Sequence, residues 1–366
     1  MKNRHFYTTL DYSVAEVRKM IDLAIALKYS RSRKTGDAKE GSHTEMYRSM
    51  GYLSGRTRLV PKTMAMLFFN PSLRTRLSFI CALAKLGGTA IDLPLSATYP
   101  FEFTKGAVMD KDKIEHVKDA VKVISSYVDV IGIRASKLVT SGKDSAKVDP
   151  WEKLKQDQII KSFMEYATVP VINMESNVWH PCQGLADAVT IVEKLALKTP
   201  LRKKYILTWV PHPKALPVAT PNSQLLSACD LGMEVKVVCP EGFELDQEIM
   251  LQAEKRAVLA GGTLGFTNEQ YEALNGADFV CAKSWGALKY YGNWEAEKKI
   301  RDGLKNWIVD QEKMKLTNDA YFMHCLPVRR NVEVADEVID GPKSLVYIQA
   351  ENRMWAQMAI LLTLLI

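Results

Sequence analysis

Hydrophobic and polar positions along the chain divide it into two kinds of segment. Short runs rich in β-branched or aromatic residues predict strands, and longer stretches with apolar residues at helical spacing predict helices. The predicted strands are Thr63–Phe69, Thr89–Leu93, Val128–Ile133, Val169–Met174, Tyr205–Val210, Glu234–Val238, Phe279–Ala282, Ala320–His324 and Leu345–Ile348. The predicted helices include Thr75–Leu86, His116–Tyr127, Gly184–Leu197 and Ser223–Leu231. This alternation favours an α/β protein with parallel sheets flanked by helices.

The length of 366 residues predicts two domains rather than one. We place the boundary near residue 165, so that residues 1–164 form the first domain and residues 165–351 the second. The apolar final helix, residues 352–366, is expected to return to the first domain.

Three segments between the predicted elements read as loops. Arg31–Arg56 and Ser136–Lys155 are polar, which is typical of solvated surface. Pro211–Pro221 carries four prolines in eleven residues directly after a predicted strand. Because proline fixes φ, this segment is predicted to be stiff and to overhang the edge where parallel sheets bind ligands.

Composition limits the classes of protein that fit. A hydrophobic content of 47% and a charged content of 25% are typical of a soluble globular protein, and argue against disorder or a membrane class. The six cysteines form no CxxC pair, and the first residues lack the apolar run of a signal peptide; both favour the cytoplasm. The net charge of +7 is spread along the chain, which favours small anions over nucleic acid as ligands.

The strongest local signal for chemistry is Phe68-Phe-Asn-Pro-Ser-Leu-Arg-Thr-Arg76. A predicted strand ends, a Pro-Ser turn follows, and a helix begins with hydroxyl and guanidinium groups. A helix N-terminus offers unpaired N–H groups and a positive dipole, which suit a phosphate. Ser72 and Thr75 add hydroxyl donors, and Arg74 can bind an oxyanion through two N–H groups. By itself the motif is equally consistent with a plain helix cap and solvated arginines.

Three further segments follow predicted strands in the same way. They provide Arg134 in Val-Ile-Gly-Ile-Arg, His180 and Gln183 in His-Pro-Cys-Gln, and Cys325 in His-Cys-Leu-Pro. Each alone is consistent with a structural role. Together with the first motif, and in this order, they resemble the aspartate/ornithine carbamoyltransferase superfamily over nearly the whole chain. His324-Cys-Leu-Pro327 is similar to the ornithine side of that superfamily.

The resemblance implies residues for carbamoyl phosphate, which the first domain would bind. The implied ligands are Ser72, Leu73, Arg74, Thr75, Tyr99, Arg134, His180, Gln183, Cys325, Leu326 and Arg353. Tyr99 stands where related enzymes carry a tryptophan that reaches a neighbouring subunit. Arg74, Thr75, His180 and Cys325 are the implied catalytic residues. Phosphate oxygen can accept the proton of the attacking amine, so we expect neither a cofactor nor a metal.

The amine substrate is expected to be an N-acylated ornithine bound by the second domain. Ordinary ornithine enzymes hold the free α-amino group with an acidic residue, but Val280 occupies that position and Lys283 follows. The loss of an anion and the gain of a cation fit a substrate whose α-nitrogen is acylated. The chain here resembles N-acetylornithine and N-succinylornithine carbamoyltransferases. That resemblance implies an amine-substrate site of Glu175, Asn222, Lys283, Lys298, Leu326 and Arg329.

Two positions bear on the acyl group. Ile114 lies where acetyl-type enzymes carry glutamate and a succinyl-type enzyme carries proline, so it removes a charge that would repel succinate. Glu333 replaces a lysine that is carboxylated in an acetyl-type enzyme, and supplies a negative charge there. We favour N-acetyl-L-ornithine as substrate and N-acetylcitrulline as product, in arginine biosynthesis. N-succinylornithine and plain ornithine stay as alternatives.

The resemblance also implies a homotrimer and a knotted chain around the Pro-rich loop. A carbamoyl-phosphate-binding regulatory protein without catalysis is the alternative from another class, although the complete set Arg74, His180 and Gln183 argues against it. A nicotinamide-dependent dehydrogenase fits less well, because no Gly-x-Gly-x-x-Gly turn follows the first strand.

Overall fold

The structure, a computed structural model, describes residues 4–31, 61–136, 149–196 and 200–366. The chain divides into two compact units. Unit 1 comprises Met1–Ser136, Asp157–Ser176 and Asn352–Ile366, and unit 2 comprises Lys137–Gln156 and Asn177–Glu351. Among the described residues, no helix is long and apolar enough to cross a membrane.

Unit 1 is built on a four-stranded sheet in which all strands run parallel, in the order β2-β1-β5-β6. A separate parallel pair joins β3 to β4. The strands are β1 (Thr63–Phe68), β2 (Thr89–Pro94), β3 (Phe101–Glu102), β4 (Glu115–His116), β5 (Val130–Arg134) and β6 (Val171–Glu175). The helices are α1 (Val14–Arg31), α2 (Leu73–Leu86), α3 (Val117–Tyr127) and α5 (Gln158–Tyr166), with 3-10 turns at Thr9–Asp11 and Leu95–Ala97.

The core of unit 1 lies between this sheet and α3 and α5. Leu67, Ile131 and Val171 on three neighbouring strands are fully buried, and they pack with Val121 and Phe163 from the helices. Strands β1, β5 and β6 are buried along almost their whole length, as the continuous apolar runs in their sequences predict for a sheet covered on both faces. The sheet thereby holds the ends of its strands at fixed positions.

Unit 2 contains a five-stranded parallel sheet in the order β11-β10-β7-β8-β9. The strands are β7 (Lys204–Trp209), β8 (Glu234–Val238), β9 (Thr263–Thr267), β10 (Phe279–Lys283) and β11 (Tyr321–Met323). The helices are α4 (Trp151–Leu154), α6 (Pro181–Lys194), α7 (Ala219–Asp230), α8 (Gln247–Leu259), α9 (Gln270–Leu274), α10 (Trp294–Arg301), α11 (Gln311–Met314) and α12 (Asp336–Ile339), with 3-10 turns at Leu288–Tyr290 and Lys305–Trp307. The last helix, α13 (Val346–Leu365), begins in unit 2 and ends in unit 1.

Each sheet has a point at which the strand order reverses, between β1 and β5 in unit 1 and between β7 and β10 in unit 2. Ligands of open parallel sheets bind outside the carboxyl ends of the strands at such a point. The segments after β1, β5, β7 and β10 are therefore expected to carry the ligand-binding residues.

The predicted α/β class with parallel sheets and a C-terminal helix is confirmed, but some predicted elements are wrong. Leu345–Ile348 is not a strand, since Val346 is the first residue of α13, which thus begins earlier than Asn352. Strand β9 was not predicted. Of the predicted loops, residues 32–56 and 137–148 lie outside the described residues, and Trp151–Leu154 forms a short helix.

Candidate active site

In unit 1, the turn from β1 to α2 (residues 69–72) has the cap that its sequence predicts. Ser72 is the N-cap of α2 in extended conformation, and its hydroxyl accepts the Thr75 N–H at 3.2 Å. Leu73 and Arg74 follow as the first two helical residues, with Leu73 exposed and Arg74 partly exposed. One N–H of the first turn is thus satisfied by Ser72, and the helix N-terminus keeps its positive dipole for an anion.

Thr75 is the most constrained residue of this motif. Its side chain is fully buried, and its Oγ1 accepts hydrogen bonds from Arg353 at 2.8 Å and from Arg134 at 3.4 Å. A hydroxyl has two lone pairs and one hydrogen. With both lone pairs directed at guanidinium groups, the hydroxyl hydrogen of Thr75 is left to be donated elsewhere. The two cationic donors also polarise the O–H bond, which makes Thr75 a stronger donor.

The ends of β1, β5 and β6 are tied to one another. Asn70 Oδ1 accepts the Ser136 N–H at 2.8 Å, and Ala135 N–H donates to the Glu175 carbonyl at 2.7 Å. The Glu175 carboxylate forms an ion pair with Arg134, and both side chains are largely buried. Glu175 is thus placed beside a predicted phosphate ligand within unit 1.

Arg76, the second arginine of the motif, has a structural role. Its Nε donates to Asp92 on β2 at 2.8 Å, and its guanidinium lies over the Phe68 ring at 3.9 Å. Arg76 therefore fastens α2 to the edge strand β2.

Tyr99 and Ile114 lie in two segments of unit 1 that the structure joins. The Ile114 N–H donates to the Pro100 carbonyl at 3.3 Å, immediately before β4 pairs with β3. Both side chains are exposed, Tyr99 by 62% and Ile114 by 63%. A cavity of about 500 Å³ lined by Tyr99, Phe101 and Val123 lies alongside. Apolar side chains this exposed are suited to contact another molecule.

In unit 2, α6 begins with His180 as its N-cap and Pro181 as its first residue. The His180 N–H donates to the Ser223 hydroxyl of α7 at 2.7 Å. Asn222 of α7 is fully buried, and its Nδ2 donates to the Val178 carbonyl at 3.0 Å. Two predicted sites, His180 for carbamoyl phosphate and Asn222 for the amine substrate, are thus fixed by contacts between α7 and the segment that leads into α6.

Lys283 is the last residue of β10 and is nearly buried, with 8% of its surface exposed. The loop after it is held by indole groups: Trp209 Nε1 donates to the Trp285 carbonyl at 2.9 Å, and Trp285 Nε1 to the Phe243 carbonyl at 2.7 Å. The Gly286 N–H donates to the Leu216 carbonyl of the Pro-rich loop at 2.8 Å. The loop that follows Lys283 is therefore rigid and joined to the loop after β7.

The segment after β11 is folded around His324, which is fully buried. The Leu326 N–H donates to His324 Nδ1 at 3.0 Å, and His324 Nε2 lies 3.0 Å from Glu333 Oε2. Because Nδ1 accepts, the proton of the ring lies on Nε2 and is donated to Glu333. Glu333 Oε1 accepts the Arg329 N–H at 3.0 Å. Cys325 lies between His324 and Leu326 in the sequence and is largely buried.

Glu333 is a buried carboxylate that stays ionised. Burial by itself would raise its pKa, but the hydrogen bond from His324 and the electrostatic interactions with His324, Lys283 and His212 outweigh burial and hold the pKa below its usual value. The His212 imidazole lies 3.8 Å from Glu333, and burial lowers its pKa. The charges of Lys283 and Arg329 also act on His212. The structure therefore brings Lys283, Arg329 and Glu333 into one electrostatic neighbourhood.

Lys298 differs from Lys283 and Glu333 because it is exposed. It lies on α10 with an exposed side chain and pairs with Asp302 at 2.6 Å, one turn further along the helix. The pair with Asp302 raises the pKa of Lys298. Among the described residues, no group of three or more His, Cys, Asp or Glu side chains is placed to hold a metal ion.

Sequence reasoning missed the residues that support the predicted ligands. Asp187 accepts the Gln183 amide at 2.7 Å, and Ser223 accepts the His180 N–H. Asp187 lies four residues after Gln183, which directly precedes the predicted helix Gly184–Leu197, and this spacing places two side chains on one face once the helix includes Gln183. That signal was available, whereas nothing in the sequence joined Ser223 to His180.

Comparison with known proteins shows which family models and relatives the chain matches. The carbamoyl-P binding domain model of aspartate/ornithine carbamoyltransferase matches residues 4–193, and the Asp/Orn binding domain model matches residues 218–364. The chain is 42% identical over 366 residues to an N-acetylornithine carbamoyltransferase of Xanthomonas axonopodis pv. citri, covering 100% of this chain and 97% of the relative. It is 38% identical over 307 residues to an N-succinylornithine carbamoyltransferase of Bacteroides fragilis, covering 83% and 87%.

Among solved structures, an acetylornithine transcarbamylase complexed with acetylcitrulline superposes with a TM-score of 0.85 at 40% identity, covering 99% of both chains. Two family models that together span nearly the whole sequence, and full-length relatives well above 30% identity, settle membership. The chain belongs to the aspartate/ornithine carbamoyltransferase family.

Proposed function

We propose that the protein transfers the carbamoyl group of carbamoyl phosphate to the side-chain amine of N-acetyl-L-ornithine, giving N-acetylcitrulline and phosphate in arginine biosynthesis. The observation that carries this proposal is the buried Thr75 hydroxyl, whose lone pairs are occupied by Arg134 and Arg353. A regulatory protein that binds without catalysis would not need so costly an arrangement of one buried and one largely buried guanidinium on one hydroxyl.

Unit 1 supplies the ligands for the phosphate group in this proposal. The N-terminus of α2, with Ser72, Leu73 and Arg74, receives phosphate oxygens through N–H, hydroxyl and guanidinium donors. Arg134 and Arg353 add two further charges. Unit 2 supplies His180 to the carbonyl oxygen, and Gln183 with the main chain of Cys325 and Leu326 to the amino group.

Reaction then proceeds by attack of the neutral amine on the carbamoyl carbon. A free alkyl amine has a pKa near 10.4 and is protonated at pH 7, so the surrounding positive charge must lower that pKa. As the C–N bond forms, negative charge develops on the carbonyl oxygen, and Thr75, Arg74 and His180 donate to it. The C–O bond to phosphate then breaks, and the departing phosphate accepts the amine proton.

Unit 2 holds the amine substrate through its remaining charges. Lys283 and Arg329 bind the α-carboxylate, and Glu333 keeps that neighbourhood from excess positive charge. Asn222 and the Leu326 carbonyl orient the substrate chain, and the same proposed set includes Lys298 of unit 2 and Glu175 of unit 1. No free α-amino group needs an anion here, which is why an N-acyl substrate fits better than ornithine. The exposed Lys298 has the weakest structural support among these residues.

The acyl group is proposed to be acetyl, which is favoured by the higher identity and fuller coverage of the N-acetylornithine relative. Ile114 would contact the acyl group from a neighbouring subunit, because it is exposed on its own unit and carries no charge. Succinyl is the second candidate, since Ile114 offers no repulsion to its carboxylate.

We propose a cytoplasmic homotrimer in which Tyr99 and Ile114 reach the active site of the adjacent subunit. Four exposed apolar side chains in one stretch of unit 1 support this: Tyr99, Val108, Met109 and Ile114. Mixing an Arg74→Ala subunit with a Tyr99→Ala subunit should regenerate activity if the two residues serve one site from different chains. A mixture no more active than its parents would contradict the shared site. The knot around the Pro-rich loop stays a prediction.

The decisive experiment measures phosphate release from carbamoyl phosphate with N-acetylornithine, N-succinylornithine and ornithine at equal concentration. We expect the highest kcat/KM with N-acetylornithine and the lowest with ornithine. Binding of carbamoyl phosphate without release in the presence of any amine would support the regulatory alternative. Equal values for ornithine and N-acetylornithine would overturn the N-acyl proposal.

A further inference from the structure

Four buried polar residues of unit 2 form a continuous chain of hydrogen bonds. The His324 N–H donates to Gln349 Oε1 at 3.0 Å, and Gln349 Nε2 donates to Asp187 Oδ1 at 2.6 Å. The same carboxylate oxygen accepts Gln183 Nε2 at 2.7 Å. None of the four residues is more than 1% exposed. We name this chain the Asp187 relay; it joins the segment after β11 to the first turns of α13 and α6.

The Asp187 relay has a fixed direction. A backbone N–H can only donate, so the His324 N–H forces the oxygen of the Gln349 amide to face it. The NH₂ of Gln349 then faces Asp187, whose oxygen must accept. Gln183 meets that same accepting oxygen and turns its own NH₂ toward it. The accepting oxygen of Asp187, which Gln349 holds in place, therefore decides which arm of the Gln183 amide faces it.

The other arm of that amide is its carbonyl oxygen. Among residues 4–31, 61–136, 149–196 and 200–366, none donates a hydrogen bond to Gln183 Oε1, although the side chain is buried. A buried amide oxygen without a partner costs free energy, and native proteins keep few of them. An acceptor held in this way is suited to a ligand that brings an N–H group.

We infer that Asp187 and Gln349 are positioning residues that hold Gln183 with its carbonyl oxygen presented to the NH₂ group of carbamoyl phosphate. The inference rests on the proposed function, in which Gln183 contacts that group. Without the relay the amide could rotate by half a turn and present its own NH₂, which would repel the amino group of the ligand. The relay also ties His324, the residue before Cys325, so one network holds Gln183 and the start of the segment whose main chain is proposed to accept from that NH₂.

A purely structural network would behave differently. Loss of a structural contact weakens the fold and affects all ligands of the site alike. Loss of a positioning contact affects the recognition of one group, here the NH₂. Acetyl phosphate separates the two cases, because it carries a methyl group in place of that NH₂ and keeps the phosphate.

The test compares the KM for carbamoyl phosphate with the inhibition constant of acetyl phosphate in folded variants. Asp187→Leu should raise the KM for carbamoyl phosphate about tenfold, which is the effect of one lost hydrogen bond. The inhibition constant of acetyl phosphate should stay within about twofold of its wild-type value. Gln183→Met should give the same selective loss, and the double variant should add nothing further, since both act through one contact. Asp230→Leu is the matched control: it removes a buried helical carboxylate of unit 2 that pairs with Arg256, and should leave the ratio unchanged.

Equal changes in both constants for Asp187→Leu, or no change in either, would overturn the inference. If that variant does not fold, Gln349→Met decides, because it keeps the carboxylate and cuts the tie to His324. It should raise the KM for carbamoyl phosphate relative to the inhibition constant of acetyl phosphate about threefold. An unchanged ratio of the two constants would refute the role of the relay. A wild-type protein that does not use carbamoyl phosphate would instead refute the proposed function.

Discussion

A close approach of two helices in unit 2 yields the sharpest prediction about stability. Gly184 lies in the first turn of α6 against α7, and a Cβ at this position would lie 2.6 Å from the Ser223 carbonyl oxygen and 3.1 Å from its carbonyl carbon. Ordinary contacts of a Cβ begin near 3.4 Å. Both partners are backbone atoms of a helix, so Gly184→Ala cannot be relieved by rotation of a side chain. The helices must separate instead.

The magnitude follows from three effects. Overpacking of a rigid contact costs about 1–3 kcal/mol. Separation weakens the bonds from His180 to Ser223 and from Asn222 to Val178, each worth about 0.5–1.5 kcal/mol. Alanine in a helix recovers about 1 kcal/mol relative to glycine. Taking central values, we expect Gly184→Ala to reduce the free energy of unfolding by about 3 kcal/mol.

Urea unfolding followed by circular dichroism measures this change. Gly265→Ala in β9 is the control, because the nearest atom to a Cβ there is the flexible end of Lys236 at 3.9 Å. It should change stability by less than about 0.5 kcal/mol. In folded Gly184→Ala protein we also expect the KM for both substrates to rise, since His180 and Asn222 move apart. Stability equal to wild type would show that α6 and α7 do not need this approach.

Three further changes test the site. Thr75→Val should lower kcat by about 10²–10³ with a fold intact by circular dichroism, whereas Thr190→Val, another buried threonine, should not; activity within tenfold of wild type would remove Thr75 from the reaction. Ile114→Glu should lower kcat/KM for N-succinylornithine at least tenfold relative to N-acetylornithine, since like charges at 4 Å repel by about 4 kcal/mol at an effective dielectric near 20; an unchanged ratio would make Ile114 structural. Because the pKa of Glu333 is lowered, its stabilisation is complete above its ordinary pKa of 4.5 and is lost as pH falls through the lower folded value. Glu333→Gln should therefore lower the free energy of unfolding at pH 7 by about 1–3 kcal/mol. If this difference from wild type did not become smaller in acid, the result would contradict an ionised Glu333 bonded to His324.

Local chemistry was readable in the sequence. The strand, the Pro-Ser turn and the helix cap at Ser72 depend on residues within one turn of each other, and the structure has them as the sequence indicates. The buried strands β1, β5 and β10 were likewise predicted by their continuous apolar runs. Signals of this kind are local because backbone propensity and capping act over a few residues.

The prediction of secondary structure failed where the local sequence signal was ambiguous. The apolar run at residues 345–348 suits a strand or a buried helix equally, and packing made it the start of α13. Strand β9 has polar ends and a glycine, so its own propensity is weak; pairing with β8 on the edge of the sheet stabilises it.

The sequence by itself determined which chemical groups are present and the α/β class. Only the tertiary structure decided whether each of these groups donates or accepts a hydrogen bond, and to which partner. Thr75 meets Arg353 across 278 positions of sequence, and Asp187 meets Gln349 across 162. A hydroxyl or an amide can donate or accept until a partner fixes its choice. Those partners come from distant elements brought together by burial of the core, and hydrophobic patterns specify that a face is buried without naming the residue opposite it.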